Sequence, residues 1–109
     1  VVRERIGGNL KVDMTIEEIV KKVSKVSNVP EKEIVGKSRK MEIAQARQVS
    51  MFLSREILGK SLSGIGMYFG GRDHTTVMHA IKTISEKVNT DDVISNTISK
   101  LRTDLNQSF

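Results

Sequence analysis

The sequence predicts an all-α fold, a compact multi-helix domain that contains a helix-turn-helix. Apolar residues recur at helical spacing in successive segments, and no segment alternates apolar and polar residues as a strand would. Residues that favour helix starts precede these segments, and glycine or proline follows several of them. A chain of 109 residues is long enough to bury one hydrophobic core, so a single folded domain is expected.

The first predicted helix starts after Thr15, which forms a capping box with Glu18. Its apolar stripe consists of Ile16, Ile19, Val20 and Val23. Pro30 stops this helix and begins a short helical segment that extends through Val35. We expect Gly36 to end that segment in a left-handed conformation.

A basic loop at residues 37–40 precedes a long helix, which is predicted from residue 42 to residue 58 and ends at Gly59. The predicted buried face of this helix consists of Ala46, Val49, Phe52, Leu53 and Ile57. The opposite, solvent-facing side is predicted to carry Arg47, Gln48 and Arg55.

The next two helices form a helix-turn-helix pattern, in an arrangement like that of the Trp repressor. Ser61 caps a short helix over residues 62–69, and Gly70 and Gly71 then force a tight reversal. Asp73 caps the second helix, whose apolar stripe consists of Val77, Ala80, Ile81, Ile84 and Val88. A last helix follows, with the stripe Ile94, Ile98, Leu101 and Leu105.

Composition narrows the classes of function. The formal net charge of +5 favours a polyanionic partner, although charge alone does not say which one. The chain has no cysteine, which excludes disulfides and thiolate metal sites. No apolar run approaches the roughly 20 residues of a membrane-spanning helix, so a cytoplasmic protein is expected.

The first turn of the second helix carries Asp73, His74, Thr75 and Thr76. In DNA-binding helix-turn-helix proteins this turn enters the major groove. Aspartate can accept a hydrogen bond from cytosine, threonine methyl groups and the histidine ring can contact thymine methyl groups, and threonine hydroxyls can donate to phosphate. The alternative is that Asp73 only caps the helix and that its neighbours are solvated.

Basic side chains provide a second candidate DNA contact. Arg39, with Lys37 and Lys40, could follow a phosphate backbone or insert into a narrow minor groove. The three polar residues on the solvent-facing side of the long helix could bind phosphates in the same way. The alternative is that both groups are ordinary solvated side chains, which is the commoner case for a run of charges.

No enzymatic or metal site is predicted. Gly59-Lys60-Ser61 resembles the end of a phosphate-binding loop, but Ser54 occupies the position of the upstream glycine. His74 and His79 have no carboxylate or thiolate placed to complete a metal site. No nucleophile is paired with a base, so the chain is predicted not to be an enzyme.

The run GGRDHTTVMHA at residues 70–80 closely resembles the signature of the C-terminal domain of the DnaA replication initiator family. Residues 37–39 and 44–48 resemble the basic loop of that family and the helix after it, and residues 62–69 resemble its first helix-turn-helix member. The resemblance covers roughly residues 15–88.

This resemblance implies binding to DnaA boxes, short asymmetric duplex sites of the TTATCCACA type at the bacterial chromosomal origin. It implies base contacts by Arg39, Leu62, Ser63, Asp73, His74 and Thr75. It implies phosphate contacts by Lys37, Arg47, Gln48, Arg55 and Thr76. Family members often have proline in place of Ser63, and some carry more arginines in the loop, so this chain departs from the family pattern at both places.

The resemblance also predicts the organisation of a longer protein. Residues 1–14 resemble the linker from an upstream ATPase module that is absent from this chain, and residues 15–109 form the DNA-binding domain. ATP is expected only on that module, so this chain is expected to need no cofactor. One copy is expected to bind one box as a monomer, because the boxes are asymmetric and no second apolar face predicts a dimer.

Three alternatives remain open at this stage. Family members respond to acidic phospholipids, so the basic helices could bind a membrane surface, but weakly, because the chain has no tryptophan anchor. A different helix-turn-helix regulator would need an apolar corepressor pocket beneath its second helix. A histidine-dependent hydrolase would need a metal and would lose its activity with His74 or His79.

Overall fold

Six α-helices follow one another along residues 15–107, the part of the chain that the structure, a computed structural model, describes. In chain order they are α1 (Ile16–Ser27), α2 (Glu31–Ile34), α3 (Met41–Leu58), α4 (Leu62–Tyr68), α5 (His74–Thr90) and α6 (Asp92–Gln107). No strand occurs in this part of the chain, and the all-α prediction is confirmed. The linker predicted over residues 1–14 lies outside the described residues. None of the six helices is both long and apolar enough to cross a membrane.

Three helices, α1, α4 and α5, begin directly after the capping residues that the sequence predicted. The Thr15 hydroxyl accepts a hydrogen bond from the backbone N–H of Glu18 at 3.3 Å, and Ser61 caps α4 in the same way. At the start of α5, the Thr76 N–H donates to the Asp73 carboxylate at 2.9 Å. Each of these contacts satisfies a backbone donor that has no partner within the helix.

Helix α3 lies at the centre of the fold and packs against α1, α2, α4 and α5. Because it has neighbours on most sides, its buried residues extend around most of its circumference: Ile43, Ala46, Arg47, Val49, Ser50, Met51, Leu53 and Ser54. The hydroxyls of Ser50 and Ser54 donate to carbonyl oxygens one turn earlier, at 2.9 and 2.7 Å. These two buried polar groups are therefore satisfied within the helix itself.

The rest of the core comes from the predicted apolar stripes of the other helices. The stripe of α1 and the stripe of α6 are both buried. Ile65 of α4 and Phe69, the residue after that helix, are fully enclosed. Burying a side chain of this size stabilises a fold by about 1.5–3 kcal/mol. Phe69 therefore fixes the end of α4 in the core immediately before the turn into α5.

Left-handed glycines close two of the connections. Gly59 ends α3 with a φ of 64°, and Gly70 and Gly71, with φ values of 86° and 78°, form the predicted reversal between α4 and α5. The left-handed conformation predicted for Gly36 is wrong, because its φ is not positive. A Cβ atom at Gly36 would lie 2.9 Å from the carbonyl oxygen of Lys32, so glycine is needed there for space.

Candidate nucleic-acid interface

The start of α5 presents the predicted base-reading residues to solvent. Asp73, His74, Thr75 and Thr76 are all exposed. They project outward because the apolar stripe of the same helix, which begins at Val77, is buried against the core. The first turn of α5 is therefore a free polar surface, as entry into a DNA groove requires.

Asp73 is the N-cap of α5, as the alternative interpretation required. Hydrogen bonds from Thr76, first from its backbone N–H and then from its hydroxyl, hold the pKa of Asp73 below its ordinary value. An ionised carboxylate has about four acceptor sites, so the cap leaves capacity for a further hydrogen bond. Capping the helix and accepting a hydrogen bond from a base are thus compatible roles for this residue.

We expect the stabilisation by this cap to depend on pH. Because the folded-state pKa of Asp73 is lowered, its carboxylate stabilises the fold above the unfolded-state pKa of about 4. That contribution is lost as the pH falls through the lower folded-state pKa. Between about pH 6 and pH 2.5, the Tm of the wild type should fall more steeply than that of Asp73→Asn, whose neutral amide still caps the helix. Parallel Tm profiles for the two proteins would contradict this prediction.

The basic loop lies beside the turn that leads into α5. Lys37 and Arg39 line a cleft together with Arg47, Gly70 and Arg72, which we term the loop cleft. Four of these five residues are cationic, and none of them is acidic. Clefts lined by one sign of charge concentrate the electric field, so the loop cleft favours an anion.

A second cleft, termed the helix cleft, lies between α3 and α5. Its lining residues are Ala44, Arg47, Gln48, Met51, Arg72, Thr76, His79, Ala80 and Thr83. Gln48 and Thr76, two of the predicted phosphate contacts, meet here although they belong to different helices. Because Arg47 and Arg72 line both clefts, the basic loop and the start of α5 adjoin one another.

The other predicted contacts lie outside these two clefts. Arg55 is exposed, donates to the carbonyl oxygen of Lys60 at 2.8 Å, and lines a separate cleft with Glu56. On α4, Ser63 is exposed and Leu62 is half-buried, and neither lines the loop cleft or the helix cleft. The structure therefore brings the loop, Gln48 and the start of α5 together, and leaves Arg55 apart.

The sequence predicts that Arg47 faces solvent, but the structure buries this side chain. Its side chain is only 7% exposed, and its guanidinium donates to the carbonyl oxygens of Ile34 at 2.7 Å, Ser38 at 3.0 Å and Glu33 at 3.0 Å. Burial, and to a lesser extent the nearby Arg72 guanidinium, lower the pKa of Arg47. The prediction of a solvent-facing position is wrong because α2 and the loop cover this side of α3. Three of the five guanidinium N–H groups are engaged, so a phosphate contact by Arg47 stays a prediction.

Three residues at this surface were not among the DNA contacts predicted from the sequence. Arg72 directly follows the two glycines of the predicted reversal, and it lines both clefts. His79 lies three residues after Thr76 in the helix cleft, and Met78, which is 49% exposed, lies three residues after Thr75. Residues three apart share a helix face, so helical spacing is the signal that could have identified the last two.

Gly66 allows the turn before α5 to pack closely against α4. Its carbonyl oxygen accepts hydrogen bonds from the backbone N–H groups of Gly71 at 3.0 Å and Arg72 at 2.9 Å. A Cβ atom at Gly66 would lie 2.0 Å from the carbonyl oxygen of Arg72, a distance that only glycine avoids. The turn thus packs directly on the backbone of α4, and this contact sets where Asp73 and α5 begin.

Most of this chain is similar to known proteins. The family described as "Bacterial dnaA protein helix-turn-helix" matches residues 16–84. The chromosomal replication initiator protein DnaA of Limosilactobacillus fermentum is 42% identical over 97 residues, which cover 89% of this chain and 22% of that relative. The protein of the same name from Ruegeria pomeroyi is 45% identical over 89 residues, covering 82% of this chain and 19% of that relative.

The chain therefore spans about a fifth of the length of these relatives. The matched residues include α1 to α4 and most of α5, with the whole helix-turn-helix among them. The exposed first turn of α5 and the basic clefts beside it lie inside the same region. This chain belongs to the bacterial DnaA helix-turn-helix family.

Proposed function

We propose that this chain binds double-stranded DNA sequence-specifically, at DnaA boxes of the TTATCCACA type, for initiation and regulation of replication at the bacterial chromosomal origin. The observation that carries the proposal is the exposed first turn of α5 beside two clefts whose lining residues include arginines and no acidic residue. Family membership supports it, and so does the name of the relatives, chromosomal replication initiator proteins.

Base reading in the major groove is assigned to the helix-turn-helix. An α-helix fits the major groove, where every base pair presents a distinct pattern of donors, acceptors and methyl groups. Asp73, His74 and Thr75 supply an acceptor, a ring and a methyl group at the exposed start of α5. Leu62 and Ser63 at the start of α4 are assigned additional base contacts.

Backbone contacts and the minor groove are assigned to the basic side chains. Arg39 of the exposed loop is assigned to the minor groove, where narrow A/T-rich DNA attracts arginine. Phosphate contacts are assigned to Lys37, Gln48, Arg55 and Thr76, with Arg47 restricted to its remaining N–H groups. Such contacts position the protein on the duplex without reading its sequence.

The decisive experiment compares a labelled duplex that carries one TTATCCACA box with a scrambled duplex, by fluorescence anisotropy at two salt concentrations. We expect the box to be preferred by about 1,000-fold or more. The salt slope should correspond to about five neutralised phosphates. Equal and steeply salt-dependent binding to both duplexes would reject sequence-specific recognition and leave only a basic helical domain.

Thr75→Ala and His74→Ala should each weaken binding to the box about ten-fold, which lies within the usual 1–3 kcal/mol for a lost base contact. Binding to the scrambled duplex should not change, because neither side chain is assigned a phosphate. Both side chains are exposed, so the free energy of unfolding should change by less than about 0.5 kcal/mol.

Thr90→Ala is the matched control for Thr75→Ala. It makes the same substitution at an exposed position at the opposite end of α5, where the Thr90 hydroxyl donates to the carbonyl oxygen of Glu86. Its affinity for the box should equal that of the wild type. A Thr75→Ala protein that prefers the box as strongly as Thr90→Ala does would remove Thr75 from the base-reading set.

The proposal extends to the longer protein. ATP binding and hydrolysis are placed on the upstream ATPase module, so no cofactor and no catalytic step are assigned to this chain.

We place the protein in the cytoplasm, at the nucleoid, with one copy on each box. Sedimentation of the complex with a one-box duplex should give a mass of one protein chain per duplex. Two chains per duplex would contradict the monomer proposal.

Acidic phospholipids are proposed only as a weak partner. The apolar stripes of the described helices are buried in the core or packed against it, so the large apolar face that an interfacial helix needs is not presented. Co-sedimentation with anionic vesicles should therefore be detectable only at low salt. Vesicle binding that competes with the box duplex at physiological salt would favour the membrane-surface alternative.

A further inference from the structure

The basic loop is held in place by two arginines that lie outside it. Arg47 of α3 donates to the carbonyl oxygens of Glu33 and Ile34, in and beside α2, and to that of Ser38 in the loop. Arg72, in the turn before α5, donates to the carbonyl oxygen of Gly36 at 2.9 Å. Both ends of the segment that carries Lys37 are thus attached to the body of the domain.

Arg72 joins three parts of the surface at once. Its backbone N–H donates to Gly66 of α4 at 2.9 Å, and its guanidinium donates to the carbonyl oxygen of Phe69 and to that of Gly36, 36 residues earlier in the chain. It directly precedes Asp73, the N-cap of α5. One residue therefore links α4, the basic loop and the helix assigned to the major groove.

These attachments constrain Arg39 in particular. The carbonyl oxygens of Gly36 and Ser38 flank Lys37, and the Ser38 carbonyl belongs to the planar peptide unit that leads into Arg39. Fixing that unit limits the directions in which the exposed Arg39 side chain can project. The contacts thereby relate the position of Arg39 to the start of α5.

The attachments use neutral carbonyl groups and no carboxylate. Arg47 and Arg72 therefore keep their positive charges close together beside the loop cleft. Burial, and to a lesser extent this proximity to Arg72, lower the pKa of Arg47. Two planar guanidinium groups, each bonded to more than one carbonyl oxygen, form a specific junction that a flexible surface charge would not form. Placing like charges side by side is unfavourable, so the junction is suited to a surface that binds a polyanion.

We propose that Arg47 and Arg72 are positioning residues for DNA recognition, which hold Arg39 in a fixed relation to the first turn of α5. The minor-groove contact and the major-groove contacts are then made by one preorganised unit. A loop that is already ordered in the free protein binds more tightly, because no conformational entropy is lost in ordering it on association. This inference rests on the proposed function, since it assigns Arg39 to DNA.

Arg72→Lys tests the proposal without changing the net charge. A lysine ammonium cannot reproduce the planar fork that reaches both Phe69 and Gly36. We expect box affinity to fall about ten-fold, while binding to the scrambled duplex and the salt slope stay as in the wild type. The matched control is Arg102→Lys, which makes the same substitution in the exposed Glu56–Arg102 ion pair and should bind as the wild type does.

A double-mutant cycle with Arg39→Ala separates positioning from general destabilisation. In the wild type, Arg39→Ala should weaken box binding about ten-fold, whereas in the Arg72→Lys background it should cost less than about three-fold. In the Arg72→Lys background, base changes at the end of the box that Arg39 is proposed to contact should likewise lose most of their effect on affinity. A merely structural role would leave the two substitutions additive, and that result would overturn the proposal.

A measurement on the free protein tests positioning independently of DNA. NMR order parameters of residues 37–40 should fall in Arg72→Lys, with those of α3 and α5 unchanged. If Arg72→Lys does not fold, Arg72→Gln, which keeps one amide donor group, replaces it in the double-mutant cycle and in the NMR measurement. Unchanged loop order parameters would refute the positioning role. A wild type that binds box and scrambled duplex equally would refute the proposed function instead.

Discussion

Gly66→Ala is expected to open the helix-turn-helix and to abolish specific DNA binding. The added Cβ atom would lie 2.0 Å from the carbonyl oxygen of Arg72, so the turn must move away by at least about 1 Å. That movement weakens the hydrogen bonds from Gly71 and Arg72 to the Gly66 carbonyl and displaces Asp73. The free energy of unfolding in urea should fall by about 3 kcal/mol, the upper part of the usual range for overpacking.

Gly64→Ala is the matched control in the same helix. A Cβ atom at Gly64 would contact only the hydroxyl oxygen of Ser61, at 3.0 Å, and would not meet the turn. Because alanine favours helix over glycine by up to about 1 kcal/mol, the free energy of unfolding of this variant should stay within about 1 kcal/mol of the wild type. A Gly66→Ala protein as stable as Gly64→Ala would show that the turn is not held by the close contact with α4.

Arg47→Ala should be the most destabilising change at an arginine. It removes the donor for three carbonyl oxygens, those of Glu33, Ile34 and Ser38, and leaves these acceptors without their partner. Hydrogen bonds to a charged group contribute about 1.5–3 kcal/mol each, so the free energy of unfolding should fall by about 3 kcal/mol or more. Urea denaturation measures this loss directly, before any DNA is added.

Arg55→Ala provides the comparison within α3. Arg55 is exposed, and its guanidinium donates to the carbonyl oxygen of Lys60, so its removal should cost less than about 1 kcal/mol. In the DNA titration both substitutions should lower the salt slope, because Arg47 and Arg55 are each assigned a phosphate contact. Equal stability of the two variants would mean that water replaces the Arg47 guanidinium without cost.

Local signals in the sequence predicted most of the helices and their ends. Thr15, Ser61 and Asp73 each accept a hydrogen bond from a backbone N–H three residues later, and Gly59 ends α3 in the expected left-handed conformation. Such interactions involve residues a few positions apart, so the sequence alone contains what is needed to predict them. Helical periodicity also predicted that the first turn of α5 would be exposed.

Contacts between distant segments could not be predicted in this way. Helical periodicity assigned Arg47 to solvent because its neighbours 13 and 14 residues earlier, Ile34 and Glu33, are brought to it only by the packing of α2. The acceptors of Arg72 are likewise backbone carbonyls, and every residue type carries one. A site built from side chains leaves a signal in the sequence, whereas a junction built on backbone acceptors leaves almost none.

The same property has a consequence for engineering the protein. The oxygens that hold residues 36–38 are main-chain atoms, so replacing Lys37, Arg39 or Lys40 by another side chain leaves the attachment points intact. The side chains of the loop can therefore be exchanged while its backbone stays attached to the rest of the domain. Libraries randomised at these three positions should alter the base preference at the end of the box that Arg39 is proposed to contact, without any change to α5.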